Sequence, residues 1–229
     1  MPTTLAARRA APALEQELAA AVEALRRVTV LVRTRGKGVG AGVAWDARGL
    51  IITNAHVARG DAATIQFWDG TTSPARVVGR DRQRDLAALE LEAPSALAVA
   101  VVRTAPALRV GELVMAVGHP DGDAGAVTLG IIHAVEGGSD HAARWVRADV
   151  RLAPGYSGGP LADAAGHVVG INTLIHGGLA LAVPAATVDA WVRAGRQPAL
   201  ARRARRRGAP ATVSRKDRTR TDPSSHPRS

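Results

Sequence analysis

Ala153-Pro154-Gly155-Tyr156-Ser157-Gly158-Gly159-Pro160-Leu161 is the stretch around which the chain is organised. A serine set among glycines, with a proline on each side, is backbone suited to sharp turns and close approach. Gly155 can take a positive φ at little cost, and Gly158 and Gly159 leave no side chain to block a substrate. Pro154 and Pro160 stiffen both flanks. Such a loop can present a hydroxyl and aim backbone N–H groups at one oxygen, which is what a serine nucleophile with an oxyanion hole requires. It can also be a plain Gly/Pro turn, and a lone GxSG does not decide between the two.

Outward from this loop, the hydrophobic period decides the class. From Pro12 to Arg27, Leu14, Leu18, Val22 and Leu25 recur at helical spacing, which predicts an amphipathic helix after a frayed segment over 1–11. That helix either packs on its own domain or makes an oligomer contact. The period then shortens. Val28–Val32, Lys37–Val43 and Leu50–Ile52 read as strands, as do Thr64–Trp68, Ala75–Val78 and Leu86–Leu91, with Asp69-Gly70 a hairpin turn. Residues 92–109, rich in Pro, Ala and Val, join this half to a second. There Glu112–Gly118, Val127–Val135, Trp145–Leu152, His167–Ile175 and Leu179–Val183 read as strands, and Pro184–Arg193 as a closing helix. Many short strands with few helices predict an all-β body. The glycines of Lys37–Val43 lack the Lys-Ser/Thr of a phosphate loop and precede no helix, so they read as close-packed strand.

A serine hydroxyl needs a base within hydrogen-bond reach, and the base needs an orienting carboxylate. The chain has seven histidines: His56, His119, His133, His141, His167, His176 and His226. His56 differs from the rest because it follows the apolar strand Leu50–Ile52, where a strand end would project it from a barrel rim. Asp85 precedes an apolar strand, so its carboxylate can sit at the edge of the core. Asp81 competes with it but reads as loop punctuation. GYSGG also fits the nucleophile elbow of α/β-hydrolases. That fold needs a helix directly after the serine and the order Ser, acid, His, neither of which this sequence offers.

Taken together, Thr53-Asn54-Ala55-His56-Val57, Asp85-Leu86-Ala87 and Gly155-Tyr156-Ser157-Gly158-Gly159-Pro160-Leu161 resemble the trypsin-like serine proteases of the HtrA/Deg type. Val117-Gly118-His119-Pro120, Val127–Ile131, Gly170-Ile171-Asn172-Thr173 and Leu181-Ala182-Val183-Pro184 resemble that family's second barrel. The likeness covers roughly residues 28–193. It implies two six-stranded antiparallel β-barrels of the chymotrypsin fold, about 28–103 and 104–193, with an N-terminal and a C-terminal helix. It implies a serine endopeptidase acting in protein quality control or regulated proteolysis, with protein or peptide substrates and no cofactor or metal. Ser157 would be the nucleophile, His56 the general base and Asp85 its orienting group, with the N–H groups of Gly155 and Ser157 as the oxyanion hole. Arg151, Leu152, Ala153, Tyr156, Asn172, Thr173 and Leu174 are the substrate-pocket candidates. The alternative is a catalytically silent protease-like module that binds peptide or nucleic acid.

Several places depart from the family pattern. Tyr156 stands where Asn is common, and it either crowds the site or lines it. Arg151, if it points inward, would favour acidic side chains before the cut. If it faces solvent, the family's small apolar preference stands, and the cost of burying an unpaired Arg favours solvent. Ile175-His176-Gly177-Gly178 implies a reduced regulatory loop. The sequence after Arg193 lacks the apolar pattern of a PDZ domain. A homotrimer is usual for the family, and the helix over 12–27 is compatible with one.

Composition bounds the rest. With no cysteine, thiolate catalysis, thiolate metal sites and disulfides are excluded. The formal charge is +10, yet residues 195–229 hold eleven of the 30 Lys/Arg and two of the 20 Asp/Glu, so the basicity belongs to a tail and not to the body. That tail, 194–229, has little to bury and reads as disordered. It either stays solvated or makes weak electrostatic contact with nucleic acid or an anionic surface. No apolar run is long enough for a membrane span. Glu15 and Glu17 follow Arg8 and Arg9 where a signal peptide would need an apolar stretch, which makes the expected location cytoplasmic.

Overall fold

Short β-branched and alanine-rich runs, separated by turns, carry the chain through two barrels. The structure, a computed structural model, describes residues 3–34, 39–93, 97–105, 107–122, 124–137 and 143–195. The first barrel contains β1 (Thr29–Thr34), β2 (Val39–Asp46), β3 (Leu50–Asn54), β4 (Ala62–Gln66), β5 (Thr72–Asp81) and β6 (Leu86–Leu91). It closes in the order β1-β2-β3-β6-β5-β4. The second contains β7 (Leu113–Gly118), β8 (Ala126–Gly137), β9 (Ala143–Asp149), β10 (Pro160–Asp163), β11 (Val168–His176) and β12 (Leu179–Pro184). It closes as β10-β11-β12-β9-β8-β7. Every strand pairing is antiparallel. Closure leaves no open sheet edge.

Alternation along each strand sends one set of side chains inward. Val30, Val32, Ile51, Ile65 and Leu89 fill the first barrel, and Val114, Ile132, Val146 and Leu161 the second. The other faces are buried too. Val43, Ile52 and Leu86 share a third cluster with Met115, Val117, Ile171 and Val183. This explains why β3 is buried at every position. A Leu or Ile side chain buried this way contributes about 1.5–3 kcal/mol. The connector between the barrels is pinned where Val102 pairs with Val168 in parallel.

Helix α1 (Thr3–Val28) runs directly into β1. Ala21 and Leu25 lie in the shared cluster, with Leu18 and Val22 against it, while Leu14 stays exposed. Arg27 stacks on Trp68 at 5.4 Å from the ring centroid. The apolar stripe therefore packs on its own domain. A second helix, α2 (residues 185–195), adds Ala185, Val188 and Val192 to the same cluster.

Three expectations change. Residues 3–11 are helix, not frayed, because alanines at 6, 7, 10 and 11 favour helix strongly enough to continue it through Pro12. The strand read as Trp145–Leu152 ends at Asp149, which leaves Arg151–Ala153 in the approach to the serine loop. Strand β10 had no sequence counterpart. It is four residues long, opens on a proline and follows the glycines that read as loop, so it carries no period of its own. The basic tail expected over 194–229 lies outside the described residues from 196 onward.

Candidate active site

β3 pairs with β6 so that Asn54 faces Leu86. That register brings His56, two residues past the end of β3, beside Asp85, the residue before β6. The imidazole Nδ1 lies 2.5 Å from Asp85 Oδ2, and the His56 backbone N–H donates to Oδ1 at 2.9 Å. The Asp85 carbonyl accepts from the Ala55 N–H and from Asn54 Nδ2, each at 3.0 Å. Both ends of Asp85 are thereby fixed to one turn. Its φ is +56°, the only positive value among the described non-glycine residues. Asp tolerates this conformation better than most residues, but it is a sparsely populated one, and such strain persists only where surrounding bonds over-determine it. Asp81 does different work. Its Oδ1 accepts from the N–H groups of Gln83 and Arg84, and Oδ2 pairs with Arg84 at 2.7 Å, closing the turn.

Ser157 arrives from the second barrel, in the loop between β9 and β10. Its carbonyl accepts from the Ala41 N–H of β2 at 2.8 Å. The next residues are held by β11, with the Gly158 N–H donating to the Asn172 carbonyl at 2.8 Å and the Asn172 N–H to the Gly159 carbonyl at 2.9 Å. Gly158, at φ +84°, is buried where an added Cβ would collide with the Ala41 carbonyl and Thr53 Oγ1. Its lack of a side chain serves this packing against the first barrel, not the substrate clearance expected of it. Gly155, at φ +106°, fits against the His119 carbonyl. Among the described residues, no backbone hydrogen bond engages the N–H of Gly155 or of Ser157.

A cleft of about 400 Å³ joins the two halves, lined by His56, Asp85, Leu152, Ala153, Pro154, Tyr156, Ser157, Thr173, Leu174 and Ile175. Of the residues read from the sequence as pocket candidates, Leu152, Ala153, Tyr156, Thr173 and Leu174 line it. Tyr156 lines the cleft while its ring packs in the second barrel's core. Burial raises the pKa of its hydroxyl. Two pocket candidates lie elsewhere. Arg151 is exposed and does not line the cleft, since a charged guanidinium gains more from water than from an apolar wall. Asn172 is fully buried, with Nδ2 donating to the Pro160 carbonyl at 2.8 Å, so it braces the serine loop from behind. The Ser157 hydroxyl donates to the Thr173 carbonyl at 3.4 Å, not to His56.

Sequence reasoning missed Asn54 as a bridge. Its Nδ2 also donates to Thr173 Oγ1 at 3.1 Å, tying the Asp85 turn to the strand beside Ser157. The sequence carried no signal for this, since the burial of Asn54 depends on the opposite barrel. His119 is buried as well. Its Nδ1 accepts from the Gly125 N–H at 3.2 Å, which assigns the proton to Nε2. Burial, against an opposing contribution from the Val30 backbone and with help from the Arg33 charge, pulls its pKa down to about 4. Among the described residues no three His, Cys, Asp or Glu cluster as a metal site.

The model of the trypsin-like peptidase domain matches residues 40–171, more than half of the chain. The chain belongs to the trypsin-like peptidase family. This peptidase domain is 40% identical over 158 residues to the serine protease HhoA of Synechocystis, covering 64% of this chain and 40% of that protein. It is 38% identical over 160 residues to a periplasmic do/HhoA-like serine protease of Haemophilus influenzae, covering 65% and 34%. It is 36% identical over 178 residues to the chloroplastic Protease Do-like 1 of Arabidopsis thaliana, covering 70% and 40%. The chain thus spans between about a third and two fifths of these relatives' length. Their names also overturn the expectation of a cytoplasmic location, since they place such peptidases in the periplasm or the chloroplast. The sequence argument had rested on a missing apolar leader, which does not identify a compartment. Among the described residues no helix is long and apolar enough to cross a membrane.

Proposed function

We propose that the protein is a serine endopeptidase that cleaves protein substrates through an acyl-enzyme on Ser157. The observation that carries this reading is the meeting of His56 and Ser157, from opposite barrels, in one cleft with Asp85 bound behind the imidazole. Ser157 Oγ turns from the Thr173 carbonyl towards His56 when substrate enters, and catalytic hydrogen bonds are commonly long before that point. His56 Nε2 takes the hydroxyl proton as Oγ adds to the peptide carbonyl, and returns it to the departing amine. Asp85 holds the Nδ1–H and so fixes the tautomer. The unengaged N–H groups of Gly155 and Ser157 receive the oxyanion, each such donor being worth ~2.7–4 kcal/mol in the transition state. Water, deprotonated by His56, then releases the acyl group.

Residues 28–193 form the catalytic unit in this reading, with barrel one over 28–103 and barrel two over 104–193. The likeness to periplasmic and chloroplastic proteases supports a place of work outside the cytoplasm. The arginine-rich stretch after residue 195 adds weak electrostatic contact with nucleic acid or an anionic surface. Assembly as a homotrimer follows the resemblance and is read by light scattering. Cleavage of an unfolded protein such as casein tests the activity. Ser157→Ala is expected to lower the rate at least about ten-thousandfold while the circular dichroism spectrum is kept. A rate that the substitution leaves unchanged would assign the hydrolysis to something else.

A further inference from the structure

His56 has a second cavity on its other side. It measures about 270 Å³ and is lined by Ala55, His56, Arg59, Arg80, Arg82 and Asp85. His56 and Asp85 line both this cavity and the cleft that holds Ser157, so an extended chain crossing the imidazole enters both. Its only acid is Asp85, already bound to His56. Its three cations are differently engaged. Arg80 donates to the Ala58 carbonyl through Nε and Nη2, and to the Gly60 carbonyl at 2.5 Å. Its Nη1 is 3.5 Å from Asp61, a carboxylate 99% exposed and therefore a weak counter-charge. Among the described residues, Arg59 bonds through Nε alone, to the His56 carbonyl at 2.9 Å, which leaves both terminal nitrogens for a ligand. Arg82 is exposed and makes no hydrogen bond or ion pair among the described residues. Its neighbour Asp81 is committed to Arg84.

We propose that Arg59 and Arg82 form a carboxylate-binding subsite beside His56, which selects substrates carrying Asp or Glu close to the cleaved bond. The inference rests on the endopeptidase reading above. Two open guanidinium groups beside a fixed third suit a planar carboxylate, which Arg binds in a forked geometry that Lys does not reproduce. Arg80 is the fixed element, held by two carbonyls of the loop after His56. Arg59 and Arg82 are the adaptable ones, and they approach the cavity from the two loops that carry His56 and Asp85. Because the cavity is open to solvent, the preference weakens as salt rises.

The test uses the full-length protein and quenched-fluorescent peptides with amidated C-termini, so that side chains are the only carboxylates. Paired peptides differ by Glu, Gln or Lys at each of the two positions on either side of the cut. Wild type is expected to favour Glu over Gln by about fivefold or more in kcat/KM at one position, and to lose most of that margin at about 0.5 M salt. Arg82→Ala should bring the ratio close to one, and Arg82→Glu should turn the preference towards Lys. Arg82 suits this purpose because it holds no other group in place. Equal cleavage of the Glu and Gln peptides by wild type, or a ratio unmoved in Arg82→Ala, overturns the subsite while the endopeptidase stands. Failure of wild type to react with a fluorophosphonate probe overturns both.

Discussion

His119 shows how one buried side chain ties stability to pH. It sits under the serine loop, its N–H bonded to the Gly155 carbonyl at 3.0 Å, and its ring is only 4% exposed. Burial lowers its folded-state pKa to about 4, against an ordinary value of 6.5 in the unfolded chain. The unfolded state therefore binds the proton first as pH falls. The contribution of this group to stability is complete above about pH 6.5 and is lost progressively towards pH 4, at a cost of about 3 kcal/mol. Urea denaturation at several pH values checks this, and His119→Asn should flatten the wild-type profile across that window. The sequence showed His119 only within Val117-Gly118-His119-Pro120 and said nothing of its burial. Residues one at a time were legible where a strand end or a strand start exposed them, as with His56 and Asp85. They were illegible where burial depends on the opposite barrel, as with Asn54, Asn172 and His119.

At the scale of elements, the serine loop is a packing unit as well as a presenting one. Gly158 has φ +84° and faces the Ala41 carbonyl, which already accepts from Thr53 Oγ1 at 2.6 Å. A Cβ there meets both groups, neither of which can retreat without breaking that bond. Gly158→Ala is expected to cost at least about 2 kcal/mol, from left-handed strain and from the forced shift together. Thermal unfolding reads it. The turn between β11 and β12 uses glycine for conformation alone: Gly177 and Gly178 take φ of +59° and +81° in a two-residue hairpin, and a Cβ added at either would meet nothing within 4 Å. Strands with a β-branched run, such as β1 and β3, could be read from the chain. β10 could not, because its four residues become a strand only when β7 and β11 flank them. The extension of α1 to Thr3 was hidden by Pro12.

Across the whole molecule, an ion cluster links the connector to the second barrel. Arg103 donates to Glu112 at 2.8 Å and to Asp163 at 3.2 Å, and all three side chains are at most 15% exposed. The Arg103 hydrogen bond, helped by Arg109 against the effect of burial, holds the Glu112 carboxyl down to about 2. Its ordinary value is 4.5, so this contribution is full above that pH and is lost as the pH falls towards 2. Arg103→Ala removes the cation that Glu112 and Asp163 share, leaves Glu112 with the exposed Arg109, and should cost about 3 kcal/mol at neutral pH, with part of the loss recovered on acidification. Denaturant midpoints at about pH 7 and pH 4 measure both. An all-β body in two halves was legible from the chain because each half repeats short apolar strands between turns, whereas the two closed barrels came from the family resemblance. What the chain did not show is that the faces turned outward from each barrel form a third core, into which α1 and α2 also pack. That core holds His56 and Ser157 to opposite walls of one cleft.

If Ser157 is the activated nucleophile of this cleft, an electrophilic phosphonate should label it and no other residue. Mass spectrometry of the full chain after exposure to a fluorophosphonate probe tests it most directly. One phosphonyl adduct is expected, mapped to Ser157, absent in Ser157→Ala and strongly slowed in His56→Ala. No adduct in the wild-type protein, or an adduct on another residue that persists in Ser157→Ala, would contradict it.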